Sequence, residues 1–200
     1  MNKRNKKISV MISGMSSVGK STAAESIAKK FHLRHVAGGD MLKLMAYERG
    51  YAPSGSEWWD TREGMKFLSE RKRNADFDKE VDRRLLDFLK KGTVVITSYP
   101  VPWLCENGLK LWFQATQKTR AKRLAGRDTI TTKKALAIIR KRDAENKKLY
   151  KKLYNIRFGE DITPFNFIID TEKMSAADVA KTSCKLVSEY SKSIRSRVVV

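Results

Sequence analysis

Cysteine, histidine and proline are scarce in this chain: two, two and four of them among 200 residues. Cys105 and Cys184 stand alone, without the spacing of a metal site or a disulfide framework. They read as inert thiols in a reducing compartment, so a cytoplasmic location is expected. No apolar run approaches the roughly 18 residues that a membrane-spanning helix needs. The start, Met1 to Lys7, is basic, but only a short strand follows it and no cleavage site is evident, so a secretory signal is not expected. Internal repeats and low-complexity linkers are also missing, and the length suits one domain with a substantial core. Acidic residues are few: 22 Asp and Glu stand against 42 Lys and Arg, a net charge of +20. Such a surface draws polyanions, and nucleotides and nucleic acid both qualify. Lys-rich helix faces turned to solvent account for much of the same excess.

What is present is organised around one stretch. Ile8 to Ser13 is apolar and rich in β-branched residues, the pattern of a buried strand. Gly14, Met15, Ser16, Ser17, Val18, Gly19, Lys20, Ser21 and Thr22 follow, and Gly14 to Ser21 fits G-x-x-x-x-G-K-[ST] in a strand-loop-helix setting. Glycine reaches backbone angles closed to other residues. The loop can therefore turn its N–H groups inward as a nest for phosphate oxygens, with the helix dipole behind it. In this motif Lys20 reaches the β- and γ-phosphates of a bound triphosphate such as ATP, and the Ser21 hydroxyl holds Mg²⁺.

Strand and helix patterns alternate along the chain, which predicts an α/β fold with a parallel sheet. Strands are expected at about Lys7 to Ser13, Leu33 to Ala37, Thr93 to Thr97, Leu109 to Gln114 and Phe165 to Asp170. Helices are expected at Gly19 to Phe31, Asp40 to Arg49, Trp58 to Lys72, Asp76 to Lys91 and Lys118 to Gly126. Two more run from Thr131 or Thr132 to Tyr154 and from a Ser175 cap to about Ile194. Pro100 and Pro102 take the chain out of the sheet after the third strand. The reading is one domain over 1–200, with inserted segments at about 41–91 and 126–154.

Four further stretches carry a resemblance. They are His35 to Lys43, Phe77 to Arg84, Arg120 to Asp128 and Arg142 to Tyr150. Together with the phosphate loop, and over about Lys7 to Glu189, the chain resembles the P-loop nucleoside monophosphate kinases, most closely the archaeal type of cytidylate kinase. The resemblance implies a three-layer α/β/α P-loop fold with sheet order 2-3-1-4-5. It implies an ATP- and Mg²⁺-dependent transferase that phosphorylates CMP or dCMP; a monomer is expected. Adenylate kinase or another small-molecule P-loop kinase is the alternative within enzymes. A nucleotide-dependent nucleic-acid-binding protein that has lost transfer is the alternative outside them.

The resemblance also assigns residues. Arg123 and Arg127, four apart on one helix face, and Arg142 are lid cations over the donor phosphates; a solvated basic face is the plainer alternative. Arg140 and Lys148 sit in the same Lys/Arg-rich helix, where solvation is the default. Asp40 either helps hold Mg²⁺ through water or caps the following helix. Asp78 and Asp82 share a helix face and, with Lys43 and Arg83, would place the acceptor; a charged outer face competes. Trp58, Trp59 and Trp103 suit base stacking or, more simply, core packing. His32 and His35 are expected to be structural, since phosphoryl transfer needs no histidine base. Two positions depart from the family pattern: Lys43 and Tyr99 stand where arginines are usual.

Overall fold

The alternation at Val10, Met11 and Ile12 fixes the centre of the molecule. Successive side chains of a strand point to opposite faces, and here both faces are covered. Val10 and Ile12 enter one core and Met11 the other, all three fully buried. They belong to β1 (Ser9–Gly14) in a computed structural model that describes residues 8–55, 58, 61–74 and 76–196. β3 (Val94–Thr97) lies on one side of β1, with Met11 opposite Ile96. β4 (Leu109–Gln114) lies on the other, with Ile12 opposite Leu111. β2 (Arg34–Ala37) and β5 (Phe167–Asp170) complete the sheet. All pairs are parallel, in the order β2-β3-β1-β4-β5 that the resemblance implied.

One face is covered by α1 (Lys20–Phe31) and α8 (Ala176–Ser196), where Ala23, Ala24 and Ile27 share a core with Val179, Cys184 and Val187. On the other face, α2 (Gly38–Glu48), α3 (Arg62–Arg73) and α4 (Asp76–Lys91) bring Met41, Met45, Phe67, Val81 and Leu85 against Met11 and Ile96. A short helix, α5 (Val101–Leu104), carries the proline-rich exit from β3. α6 (Gln117–Asp128) and α7 (Thr132–Tyr154) pair through Ala121, Leu124, Ala135 and Ile139. The end of α7 returns to the sheet, where Tyr150 and Phe158 pack on Trp112. No helix among the described residues is long and apolar enough to cross a membrane.

Several boundaries differ from the sequence expectation. α2 starts at Gly38 with Ala37 as its N-cap, so Asp40 lies in the first turn and does not take the capping position. Its charge still complements the helix dipole. α3 begins at Arg62 because Thr61 caps it, its hydroxyl accepting from Gly64 N at 3.1 Å. β5 begins two residues late: Phe165 leaves the strand path and its ring meets Trp103 and Trp112, centroids 4.9 and 5.2 Å away. Trp58 packs edge-on to Tyr51 and against Phe67, as core packing requires. Trp59 and the C-terminal valines lie outside the described residues.

Because the strands are parallel, their carboxyl ends share one edge. That edge receives the loop after β1, the N-termini of α1, α2 and α6, and Ser98-Tyr99 after β3. Ligands of open α/β sheets bind at this edge.

Candidate active site

The phosphate loop is held in shape by its glycines. Gly14 has φ 141°, and a Cβ there would sit 2.2 Å from the Phe113 carbonyl oxygen, so only glycine lets β1 and β4 stay paired at this point. Ser17 takes φ 61° and Gly19 φ 92°, while Val18 is fully buried and anchors the loop to the core. The Ser16 and Ser17 hydroxyls are buried with no hydrogen-bond partner among the described residues. An unsatisfied buried hydroxyl costs about 1–3 kcal/mol. Phosphate oxygens would accept from both, so the residues present fit a bound polyphosphate.

Lys20 opens α1 and folds back over the loop. Its Nζ donates to Gly14 O at 2.8 Å and Met15 O at 2.5 Å, and lies 5.0 Å from the centroid of the Tyr99 ring. Burial pushes its ammonium down to about 7, the neighbouring Arg120 guanidinium adds to the shift, and Asp143 opposes it. A phosphate beside it would restore the proton, since an opposite charge favours the charged form. Ser21 is exposed in the first turn of α1, and Asp40 is exposed in the first turn of α2. Among the described residues no three His, Cys, Asp or Glu converge on a metal site. Mg²⁺ takes few protein oxygens and completes its shell with phosphate and water, and hydroxyl and carboxylate oxygens such as those of Ser21 and Asp40 are of the type it accepts.

The arginines of α6 divide into three roles. Arg120, 3% exposed, makes a two-pronged pair with Asp143 of α7: Nη1 to Oδ1 at 2.9 Å and Nη2 to Oδ2 at 2.6 Å. Nη1 also reaches Ser16 O at 3.4 Å, Nε donates to Ala115 O, and Gln117 donates to Asp143. This buried pair ties α6 and α7 to the phosphate loop. It escaped the residue assignment made from sequence, although Arg120 lies on the same stripe as buried Ala121 and Leu124, which was the available signal. Arg123 turns to the end of β5, donating to Thr171 Oγ1 at 2.9 Å and to the carbonyls of Thr171 and Met174. Arg127 is exposed and held by Asp128 at 2.6 Å. Arg142 is exposed on α7 near the Tyr99 hydroxyl, which also faces Asn146.

A second group of charged residues joins α3, α4 and the end of α7. Asp78 and Asp82 are 7% and 5% exposed, so they are not a solvated face. Arg71 of α3 grips Asp78, with Nη2 to Oδ1 at 2.5 Å and Nε to both oxygens at 3.2 Å. Tyr154 donates to Asp82 Oδ2 at 2.8 Å. Burial pushes the Asp82 carboxyl up to about 7; the Tyr154 hydrogen bond opposes this and the Asp78 charge adds to it. Lys43 donates to Gly55 O at 2.6 Å. Arg83 is not brought to this group. One residue on from Asp82, it is turned about 100° around the helix. There it is exposed and pairs with Glu80 at 2.7 Å and Asp87 at 3.1 Å. His35 meets Thr97 Oγ1 at 3.2 Å and His32 caps α1, both structural roles. A cleft of about 940 Å³ between the end of α2 and α3 is lined by Arg49, Tyr51, Arg62 and Glu70 and contains none of the expected site residues. The loop geometry, not cavity size, locates the site.

Comparison with known proteins bears on the family and the fold. The model of the cytidylate kinase-like family matches residues 9–173. The cytidylate kinase of Methanocaldococcus jannaschii is 34% identical over 175 residues, covering 85% of this chain and 92% of that protein. That of Pyrococcus horikoshii is 32% identical over 174 residues, covering 86% and 84%. Among solved structures, an uncharacterized protein from Eubacterium ventriosum superposes with TM-score 0.63 at 15% identity, over 94% of this chain and 99% of that one. A gluconokinase from Sinorhizobium meliloti gives TM-score 0.55 at 12% identity, over 98% and 99%. These last two speak to the fold alone.

Proposed function

The chain belongs to the cytidylate kinase-like family, and on that premise we propose that it transfers the γ-phosphoryl group of ATP to CMP or dCMP. The observation that carries the reading is the phosphate loop, with Lys20 folded over it beside the unsatisfied Ser16 and Ser17 hydroxyls. The loop amides and Lys20 would bind the β- and γ-phosphates. Ser21, with Asp40, would hold Mg²⁺, which would supply positive charge to offset that of the phosphates. Arg123 braces the loop after β5 at the donor side, and Arg127 and Arg142 are the lid cations available to the transferring group. Lys43, Asp78 and Asp82 contribute to the acceptor half.

No base or covalent intermediate is required of the protein. A phosphate monoester is already a nucleophile at neutral pH, so positioning and charge stabilisation are the work of the site. Closure of α6 and α7 over the nucleotides would exclude water, which would otherwise hydrolyse ATP.

A coupled assay over CMP, dCMP, UMP and AMP tests the reading. CMP or dCMP should give the highest kcat/KM, and Lys20→Ala should lower it by roughly 100-fold or more, the scale of losing one transition-state cation. A preference for AMP, or transfer that survives Lys20→Ala unchanged, would refute it.

A further inference from the structure

Transfer from ATP to a nucleoside monophosphate needs a cation for the acceptor phosphate close to the donor γ-phosphate. Lys20 marks the donor side of that point. The next residue outward is Tyr99, whose ring lies 5.0 Å from Lys20 Nζ and whose carbonyl is pinned by Ser13 Oγ at 2.7 Å. Tyr99 carries no charge, so the acceptor cation must come from elsewhere. On α4, Arg83 and Arg84 are both spent on outer-face carboxylates, Arg84 on Glu48 and Glu80 at 2.7 Å each. Lys43 is drawn to the Gly55 carbonyl.

Arg71 is different. Its guanidinium is held by Asp78 and stands within electrostatic reach of Tyr99, Tyr150 and Asp82, where the Tyr99 and Tyr150 rings lie 5.9 Å apart. Its side chain is 24% exposed, enough to meet a ligand. Nε and Nη2 are taken by Asp78, while Nη1 has no hydrogen-bond partner among the described residues. Asp78 therefore fixes the guanidinium plane and leaves one edge open, an orientation already made before binding. Burial holds the nearby Asp82 carboxyl up at about 7, which limits the negative charge that an incoming anion would face.

We propose that Arg71 is the acceptor-phosphate residue of this enzyme: its Nη1 edge donates to an oxygen of the nucleoside monophosphate dianion while Asp78 holds the guanidinium in place. The proposal rests on the kinase reading above and assigns the cation that Tyr99 does not supply.

Steady-state kinetics of Arg71→Ala and Arg71→Lys test it, with CMP and UMP as acceptors. A charge-assisted contact to a dianion is among the stronger hydrogen bonds. Arg71→Ala should thus raise the CMP KM by roughly 10- to 100-fold while the ATP KM stays within about twofold. Both acceptors carry the same phosphate, so the ratio of kcat/KM for CMP over UMP should not move. If the alanine variant fails to fold, as judged by loss of stabilisation by Mg-ATP, Arg71→Lys carries the test. It keeps the charge and loses the fork, and a roughly 3- to 10-fold rise in CMP KM is expected. An unchanged CMP KM in a folded variant overturns the proposal. So does a loss that falls on CMP but not UMP, which would make Arg71 a reader of the base. If the wild-type protein phosphorylates no monophosphate, the kinase reading itself falls and takes this assignment with it. An active wild type with an indifferent Arg71→Ala removes the assignment alone.

Discussion

The pair between Arg120 and Asp143 offers the sharpest test of how α6 and α7 are attached to the phosphate loop. Both side chains are almost fully enclosed, 4% and 11% exposed, and their two parallel hydrogen bonds are 2.9 and 2.6 Å long. Removing Asp143 alone would strand a guanidinium beside Lys20 with only the Ser16 and Ala115 carbonyls to meet it. Breaking such a buried pair costs about 3–5 kcal/mol, a large part of the roughly 5–15 kcal/mol that holds a domain folded. For a chain of this length each kcal/mol moves Tm by about 2–4 °C, so Asp143→Ala should lower Tm by roughly 6–20 °C. Replacing both partners by apolar residues of similar size, Arg120→Met with Asp143→Leu, should recover most of that loss, because burying two charges costs about what their attraction returns. The assay is thermal and urea unfolding of the two single variants and the double variant, without nucleotide. If the single effects simply add in the double variant, the two residues do not act as a pair and the reasoning fails. A cost below about 1 kcal/mol for Asp143→Ala would likewise show that the charge is not buried as the structure places it.

Other consequences follow from the same geometry. The lowered Lys20 pKa means the unfolded chain binds that proton more readily between about pH 7 and 10.5, so this residue's penalty on the nucleotide-free fold is full below pH 7 and fades as pH rises. Lys20→Met should therefore raise Tm at pH 6 while abolishing stabilisation by Mg-ATP; a lowered Tm would contradict the sign. Asp82 works in the other direction: its folded pKa of about 7 lies above the ordinary 3.8, so stability should fall as pH rises from about 4 to 7, by at most about 4 kcal/mol. Asp82→Asn should flatten that slope in unfolding measurements across the range, and an unchanged slope would remove Asp82 as its source. Gly14→Ala would place a methyl group 2.2 Å from the Phe113 carbonyl, so β1 and β4 must part locally. A Tm drop of several degrees and loss of Mg-ATP binding are expected, and normal values for both would show that the loop shape does not depend on this glycine.

How far the sequence could be read depended on whether a feature was local. The phosphate loop was legible because its shape is written in backbone terms: Gly14 and Gly19 occupy positive φ, and Val18 is the apolar anchor between them. The sheet was legible because Val10 to Ile12, Val94 to Ile96 and Leu111 to Phe113 are apolar on both faces, as expected of central parallel strands. α3 was poorly placed because, of its residues, Phe67 is the one large apolar side chain in the core, and its Lys, Arg and Glu carry no helical apolar stripe. Charged residues were harder still, because a side chain's partner lies elsewhere in the chain. Arg120 and Asp143 are 23 residues apart and Asp82 and Tyr154 are 72 apart. Nothing in the order of residues says that these charges face inward. Arg83 shows the converse, since it neighbours Asp82 in sequence and faces solvent in space.

The two halves of the site meet their charges in opposite ways. On the donor side the polar atoms stand incompletely matched: two serine hydroxyls have no partner among the described residues, and an ammonium has only carbonyl oxygens and an aromatic face. A polyphosphate relieves all of these at once, so binding energy is gained without breaking any ion pair. On the proposed acceptor side the charges arrive already partnered, Arg71 with Asp78 and Asp82 with the Tyr154 hydroxyl. An acceptor can engage only an edge left over from such a pair, and Arg71 Nη1 is one. Paired charges hold their geometry before binding, at the cost of a weaker pull on an anion. The donor half thus behaves as a general grip for phosphate, shared with any chain carrying this loop. On the kinase reading, selectivity for one acceptor is expected to arise where partners are fixed in advance, in the group that joins α3, α4 and the end of α7.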